Sequence, residues 1–386
     1  MLSLKKKRLI PLLWINLNNN SENQVSALEL IIKMTKTTRL LQWYDINHRD
    51  LPWRNTSDPY KIWLSEIILQ QTRVDQGMSY YMKFIDYFPI VQDLAEADED
   101  SVLKLWQGLG YYSRARNLHH AAKTVVEKLN GIFPDNYNDL LKLKGVGEYT
   151  AAAVSSIVFN EAKPVIDGNV MRVLSRWYAI EEVVNSAPGL KKIKSALENL
   201  IDKAQPGKFN QAMMEFGAIY CKPKNPDCEQ CIFSDNCLAY QKGLVDKLPS
   251  KISKIKIKTR YFTYLFITFN KNNELFTIIK KRGENDIWKG LYEFPMIESL
   301  KEIQAADLIH KEQIWQFVNP DQSDIHVVSK TYVHQLTHQK IFAVFIKITA
   351  NKQIKILPKD YLILPASTLG EYPVSRLMDK YLNDLT

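Results

Sequence analysis

Between residues 35 and 220, apolar side chains recur every three or four positions, most clearly over 62–71, 98–106, 114–129 and 190–203. That spacing lays one apolar stripe along a helix, and the connectors carry Gly, Pro, Asn and Asp, the residues that end helices and make turns. The pattern predicts an all-α half. After the last cysteine the texture changes. Residues 241–259 are rich in Lys and Ser, include Pro249 and have little periodicity, which suits an exposed linker. Beyond them, 261–269, 274–281, 326–333 and 341–348 are short, β-branched and aromatic, as strands are, while 300–309 and 374–382 read as helices. The expected organisation is a disordered extension over 1–34, a helical domain over 35–240, the linker, and a smaller α+β domain over 260–386.

Composition narrows the function classes. Of the 386 residues 46% are hydrophobic and 24% charged, the balance of a chain that buries a core rather than of a coiled coil or a disordered protein. No apolar run is long enough for a membrane-spanning helix. The net charge of +9 favours an anionic partner. At the N-terminus Lys5, Lys6, Lys7 and Arg8 precede a short apolar stretch, which imitates a secretion signal. Pro11 interrupts the stretch and no small-residue cleavage site follows, so the expected location is cytoplasmic. Met34 offers a second place for translation to start.

All four cysteines fall in one segment, as Cys221, Cys228, Cys231 and Cys237. A disulfide framework would be spread along the chain, whereas clustering reads as metal ligation. Only Cys228 and Cys231 form a close pair of the kind structural zinc sites use, and a cubane iron–sulfur cluster fits four thiolates from one loop equally well. Gly145-Val146-Gly147, between two helical patterns, has the form of a helix-hairpin-helix turn whose N–H groups can face a phosphate. It is equally the form of a plain turn.

Two carboxyls stand out. Glu66 interrupts a strongly apolar helix, where an ionised carboxylate must be paired or else held protonated, the state a general acid needs. Asp167 precedes a helix and suits its N-cap, a structural role compatible with a catalytic one. Paired carboxyls are the arrangement that breaks glycosidic bonds through a positively charged sugar. Gln70 and Gln71 follow Glu66 on the same helix. Residues 110–116 mix tyrosines with arginines, a combination able to stack on bases and neutralise phosphates, or simply core rings beside surface charge.

Together these segments, with Leu51-Pro52-Trp53-Arg54, residues 63–72, Gly108-Leu109-Gly110-Tyr111-Tyr112, Asp167-Gly168-Asn169-Val170 and residues 209–214, resemble the adenine DNA glycosylase (MutY) family of the helix-hairpin-helix superfamily that also holds endonuclease III. The resemblance covers about residues 38–240. Leu291-Tyr292-Glu293-Phe294-Pro295 resembles that family's Nudix-like domain more weakly, and without the clustered glutamates of a nucleotide hydrolase. The implied fold is a mostly α helix-hairpin-helix glycosylase domain with an iron–sulfur loop, plus a smaller α+β Nudix-like domain.

The resemblance implies a monomeric, monofunctional hydrolase that removes adenine mispaired with 8-oxoguanine or guanine in duplex DNA. It implies a 4Fe–4S cluster on the four cysteines. Glu66 would protonate the base and activate water, Asp167 would offset the sugar's charge with support from Asn169, and Tyr149 would stand where lyases of the superfamily carry a nucleophilic Lys. A phenol forms no Schiff base. Arg49, Leu51, Trp53, Arg54 and Gln211 would line the base pocket. Gln70, Gln71, Leu109, Tyr111, Gly145, Val146 and Gly147 would contact DNA. Leu336-Thr337-His338 stands where the family usually has Phe-Ser-His, so Thr337 and His338 would sense the lesion with an altered loop. Two rivals remain: an endonuclease III-like glycosylase/lyase for damaged pyrimidines, and a non-catalytic, zinc-ligated DNA-binding module.

Overall fold

The computed structural model describes residues 35–250, 257–284, 286–302, 312–351 and 354–385. The helical half runs α1 (Lys36–Asn47), α2 (Pro59–Leu69), α3 (Val74–Tyr87), α4 (Val91–Glu96), α5 (Glu99–Leu105), α6 (Ser113–Leu129), α7 (Tyr137–Leu140), α8 (Glu148–Phe159), α9 (Gly168–Trp177), α10 (Ala187–Leu200), α11 (Pro206–Glu215) and α12 (Leu238–Gln241). The chain then enters β1 (Lys258–Lys271), β2 (Glu274–Lys281), β3 (Tyr292–Glu293), β4 (Met296–Ser299), β5 (Ser323–Val328), β6 (Tyr332–Gln335), β7 (Gln339–Ala350), β8 (Tyr361–Pro365) and α13 (Arg376–Asn383).

The described chain forms two compact units. One comprises residues up to 49 with 166–250; the other comprises 50–165 with 251–386. In the first, Trp43, Trp177, Phe216 and Phe233 close a core beneath the cysteine loop. In the second, α2 to α8 pack around Trp63 and Trp106, neither of which reaches solvent. Truncating either ring to Ala costs about 3–5 kcal/mol. The sheet of the second unit is mixed, in the order β3-β2-β1-β7-β5, with β4 on β1, β6 on β7 and β8 on β2. Its central pair, β1 and β7, is parallel over twelve residues. Both faces are covered, one cluster centring on Phe294 and Phe345 and the other on Ile314 and Ile348. That double burial explains why β1 reads as an almost unbroken apolar run.

The expected helices and strands recur with adjusted ends. The strand expected over 326–333 is two strands, β5 and β6. Ser329 breaks it: its backbone N–H and its hydroxyl both bond to the main chain of Phe345, which turns the chain out of register. The C-terminal helix begins after Ser375, whose hydroxyl accepts the Met378 N–H as an N-cap. Strands β4 and β8 are too short to announce themselves. The extension expected over 1–34, most of the helix expected over 300–309, and residues 251–256 of the linker lie outside the described residues.

Candidate active site

Glu66 sits on α2 with Ile62, Trp63, Leu64, Ile67 and Ile68, all buried, and is itself only 6% exposed. The helix starts where Asp58 accepts the Tyr60 N–H at 2.9 Å and Pro59 supplies a pre-set first turn. Its far end is closed by Arg114 from α6. One guanidinium nitrogen donates to the carbonyls of Ile67, Ile68 and Gln70 at 2.9, 3.0 and 2.6 Å. These are the acceptors a helix leaves orphaned at its C-terminus. The other nitrogen reaches the Gly110 carbonyl at 3.2 Å, and the group lies over the Trp106 ring. Burial draws the Arg114 pKa down to about 10.

Against this helix stands α8. Tyr149, in its first turn, donates its hydroxyl to Oε2 of Glu66 at 2.5 Å, and the next residue, Thr150, accepts from Nε2 of Gln70 at 3.1 Å. The turn that launches α8 is the glycine hairpin. Gly145 has φ +81°, and a Cβ there would lie 2.6 Å from Cβ of Asn117, so both backbone and space demand glycine. Val146 is buried, and Gly147 is the N-cap residue of α8.

The loop between α5 and α6 presents Tyr111, half exposed and at φ +49°, while Leu109 turns into the core. Gln71, also left-handed, projects beside the end of α2. The Tyr111 hydroxyl meets that of Thr337 at 2.5 Å. Thr337 occupies the tight turn between β6 and β7, held by Leu336 N–H to the Gln339 carbonyl and by Lys258 N–H to the His338 carbonyl. Leu51 and Trp53 are buried members of the helical core, Trp53 edge-on to Tyr81, and Arg54 closes the short helical turn Pro52–Arg54 that contains Trp53.

In the other unit Asp167 caps α9, accepting the Val170 N–H at 2.7 Å and Nδ2 of Asn169 at 2.8 Å. Burial raises its pKa above the usual aspartate value, and these two donors oppose the rise. Asn169 is held in turn by Arg172, which donates to its Oδ1 at 2.8 Å and to the carbonyls of Gly217 and Cys221, both at 2.9 Å. Gly217 lets the backbone come this close: a Cβ there would stand 2.6 Å from Cβ of Asn169. Arg49 grips Glu215 through three N–H donors at 2.7–2.9 Å, and Oε1 of Gln211 accepts from Tyr44 at 3.0 Å.

The four cysteines line one cavity with Arg176, Trp177, Phe216 and Tyr220. Burial pushes the Cys231 thiol up to about 12. Arg176 is 2% exposed. It donates to the carbonyls of Lys222, Pro223, Val245 and Leu248 and to Sγ of Cys221 at 3.4 Å. Among the described residues no three His, Cys, Asp or Glu side chains are grouped to hold a single metal ion.

Of the residues that the sequence singles out, Glu66 is hydrogen-bonded to Tyr149 and Asp167 to Asn169. Arg114, Arg172, Arg176 and Glu215 were not singled out for these roles. Their targets are backbone atoms or distant partners, which a linear pattern does not carry.

Residues 64–203 match the model of the HhH-GPD superfamily of base excision DNA repair proteins, and residues 264–384 match that of the NUDIX domain. The chain is 35% identical over 318 residues to an adenine DNA glycosylase of Buchnera aphidicola subsp. Baizongia pistaciae, covering 81% of this chain and 86% of that one. It is 44% identical over 212 residues to the adenine DNA glycosylase of Homo sapiens, covering 53% and 39% respectively. Among solved structures, a thermostable thymine-DNA glycosylase aligns with TM-score 0.50 and 29% identity over 58% of this chain and all of that one. No helix among the described residues is long and apolar enough to cross a membrane. On its sequence and its helical fold, the chain belongs to the adenine DNA glycosylase family of base excision DNA repair enzymes.

Proposed function

We propose that this enzyme hydrolyses the N-glycosidic bond of adenine mispaired with 8-oxoguanine or guanine in duplex DNA, as a monomer in the cytoplasm. The observation that carries the reading is the Glu66 carboxyl, buried in an apolar helix and met by the Tyr149 hydroxyl. The reacting bond is inaccessible within a stacked duplex, so adenine is first turned out. Gln71 and Tyr111, exposed on left-handed turns, suit insertion into the vacated stack. Protonated Glu66 passes its proton to a ring nitrogen of adenine, which makes the base a neutral leaving group. As the bond from the sugar's C1′ breaks, the Asp167 carboxylate offsets the positive charge left on the sugar. Water adds at C1′, and its proton returns to Glu66. The products are free adenine and an abasic site. Tyr149 offers no amine to attack the sugar, so strand cleavage is not part of the reaction.

The residues around the cysteines fit a 4Fe–4S cluster. Four sulfurs line one cavity, and two of them accept N–H bonds, Cys221 from the buried Arg176 guanidinium and Cys231 from the Phe233 backbone. A buried guanidinium donating to one of the sulfurs suits the negative charge of a thiolate-bound cluster. Cys221, Cys228, Cys231 and Cys237 would hold it; bound, it cross-links the loop and takes no part in breaking the glycosidic bond. The chemistry is assigned to residues 35–240, with Arg49, Leu51, Trp53, Arg54 and Gln211 as the base-pocket residues that the family resemblance implies. Residues 260–386 sense the opposing base through Thr337 and His338. The deciding experiment is single-turnover adenine release from duplexes pairing adenine with 8-oxoguanine, guanine or thymine. Release confined to the first two supports the reading; release of an oxidised pyrimidine instead overturns it.

A further inference from the structure

Trp288 lies in the loop that joins β2 to β3 with φ +62°, a left-handed conformation for one of the bulkiest side chains. Such a conformation costs about 1–2 kcal/mol and persists only where the surroundings impose it. Here they do. The indole packs against the helical cluster around Trp63 and Trp106 and also against the sheet cluster around Phe294 and Phe345, and no other described residue belongs to both. Two neighbours fasten the loop to the helices: Arg116 on α6 donates to the Lys289 carbonyl at 2.6 Å, and Leu291 is wholly buried in the helical cluster. On the sheet side the indole meets His334 of β6 edge-on, ring centroids 5.6 Å apart. Three residues later comes Thr337.

The contact that depends on this arrangement is Tyr111 to Thr337. A single exposed hydroxyl pair contributes about 0.5–1.5 kcal/mol, too little to hold a helical loop and a sheet hairpin in register by itself. An aromatic wedge shared by two cores is stiff enough, because close-packed interiors transmit displacement rather than absorb it. The polar tethers nearby, Tyr292 to Asp100 and Gln107 to Asp379, touch neither β6 nor the Thr337 turn.

We infer that Trp288 is a positioning residue for discrimination of the base opposite the excised adenine, holding the hairpin that carries Thr337 against Tyr111. The inference rests on the proposed lesion-sensing role of that hairpin. The test measures single-turnover adenine release opposite 8-oxoguanine and opposite guanine for the full-length protein and its variants. Trp288→Leu should lower the preference for 8-oxoguanine about tenfold while the rate opposite guanine stays within about twofold. Trp288→Phe should retain most of the preference. Tyr111→Phe should lower it too, and combining it with Trp288→Leu should add little, since both act through one contact; a merely structural role gives additive losses. Arg116→Gln loosens the loop from the helical side without opening the sheet core and should shift the preference in the same direction, which keeps the test decisive if Trp288→Leu does not fold. Wild-type preference in Arg116→Gln and any folded Trp288→Leu, or additive losses in the double variant, overturns the inference. A wild-type protein with equal rates opposite both bases overturns the lesion-sensing reading and this inference together, a result recognisable before any substitution is made.

Discussion

The hydroxyl of Tyr149 and the carboxyl of Glu66, 83 residues apart, are 2.5 Å from each other. One side chain lies in the first turn of the helix after the glycine hairpin and the other mid-way along an apolar helix, so the contact ties that hairpin to the buried carboxyl. A carboxyl in apolar surroundings is costly when ionised, and a hydroxyl donor offsets part of that cost.

Glu66→Gln keeps the shape and removes the transferable proton. Adenine release should fall by about 10²–10⁴-fold with duplex binding unchanged. Single-turnover assays and gel shifts measure the two separately, and near-normal release refutes the assignment.

Tyr149→Phe removes one hydrogen bond to the acid and leaves the ring. The expected slowing is about tenfold or less. Borohydride should trap no protein–DNA adduct with either the wild-type protein or this variant; an adduct would restore the lyase reading.

In the proposed reaction Asp167 must be ionised to offset a cation, and burial raises its folded pKa. The unfolded chain therefore ionises this group at lower pH than the folded one. Its contribution to stability is present below the unfolded value and is lost as pH rises through the folded value. Catalysis runs the other way: the rate should climb with pH along a limb lying above the ordinary aspartate pKa of about 3.9. Asn169→Ala deletes a donor to the carboxylate and should move that limb further up. A limb indifferent to Asn169 would contradict the pairing.

Arg114→Met strips three carbonyls at the end of α2 of a shared donor and should destabilise the fold by about 2–3 kcal/mol in denaturant titrations. Arg114→Lys should recover little, because an ammonium cannot reproduce the guanidinium fork. Full recovery by Lys would show that charge alone is at work.

Cys231→Ser should remove the broad visible absorbance of an iron–sulfur protein and lower thermal stability, since metal binding contributes directly to folding. A colourless wild-type protein carrying stoichiometric zinc after anaerobic purification would reject the cluster.

Much of this was legible from the chain. The helical half follows from apolar spacing, and Glu66 is conspicuous because a carboxylate in an apolar helix demands an explanation. Asp167 is visible as a cap. Arg114, Arg172 and Arg176 look like solvated charge on amphipathic helices, yet each turns inward to backbone carbonyls supplied by other segments. Nothing local marks that choice. The meeting of Tyr111 with Thr337 spans 226 residues and depends on how the sheet docks on the helices of its own unit. The break at Ser329 depends on a partner strand sixteen residues further on.

The parallel pairing of β1 with β7 has a consequence for how the protein is made. Thr268 and Ile348 are bonded across 80 positions of sequence, so β1 leaves the ribosome long before its principal neighbour exists. Until then a fourteen-residue strand with a largely apolar centre has only the shorter antiparallel partners β2 and β4 to shield it. A chain cut short ahead of Gln339 would keep that strand bare along one edge, a template for aggregation, and premature termination there should yield insoluble protein rather than a working half.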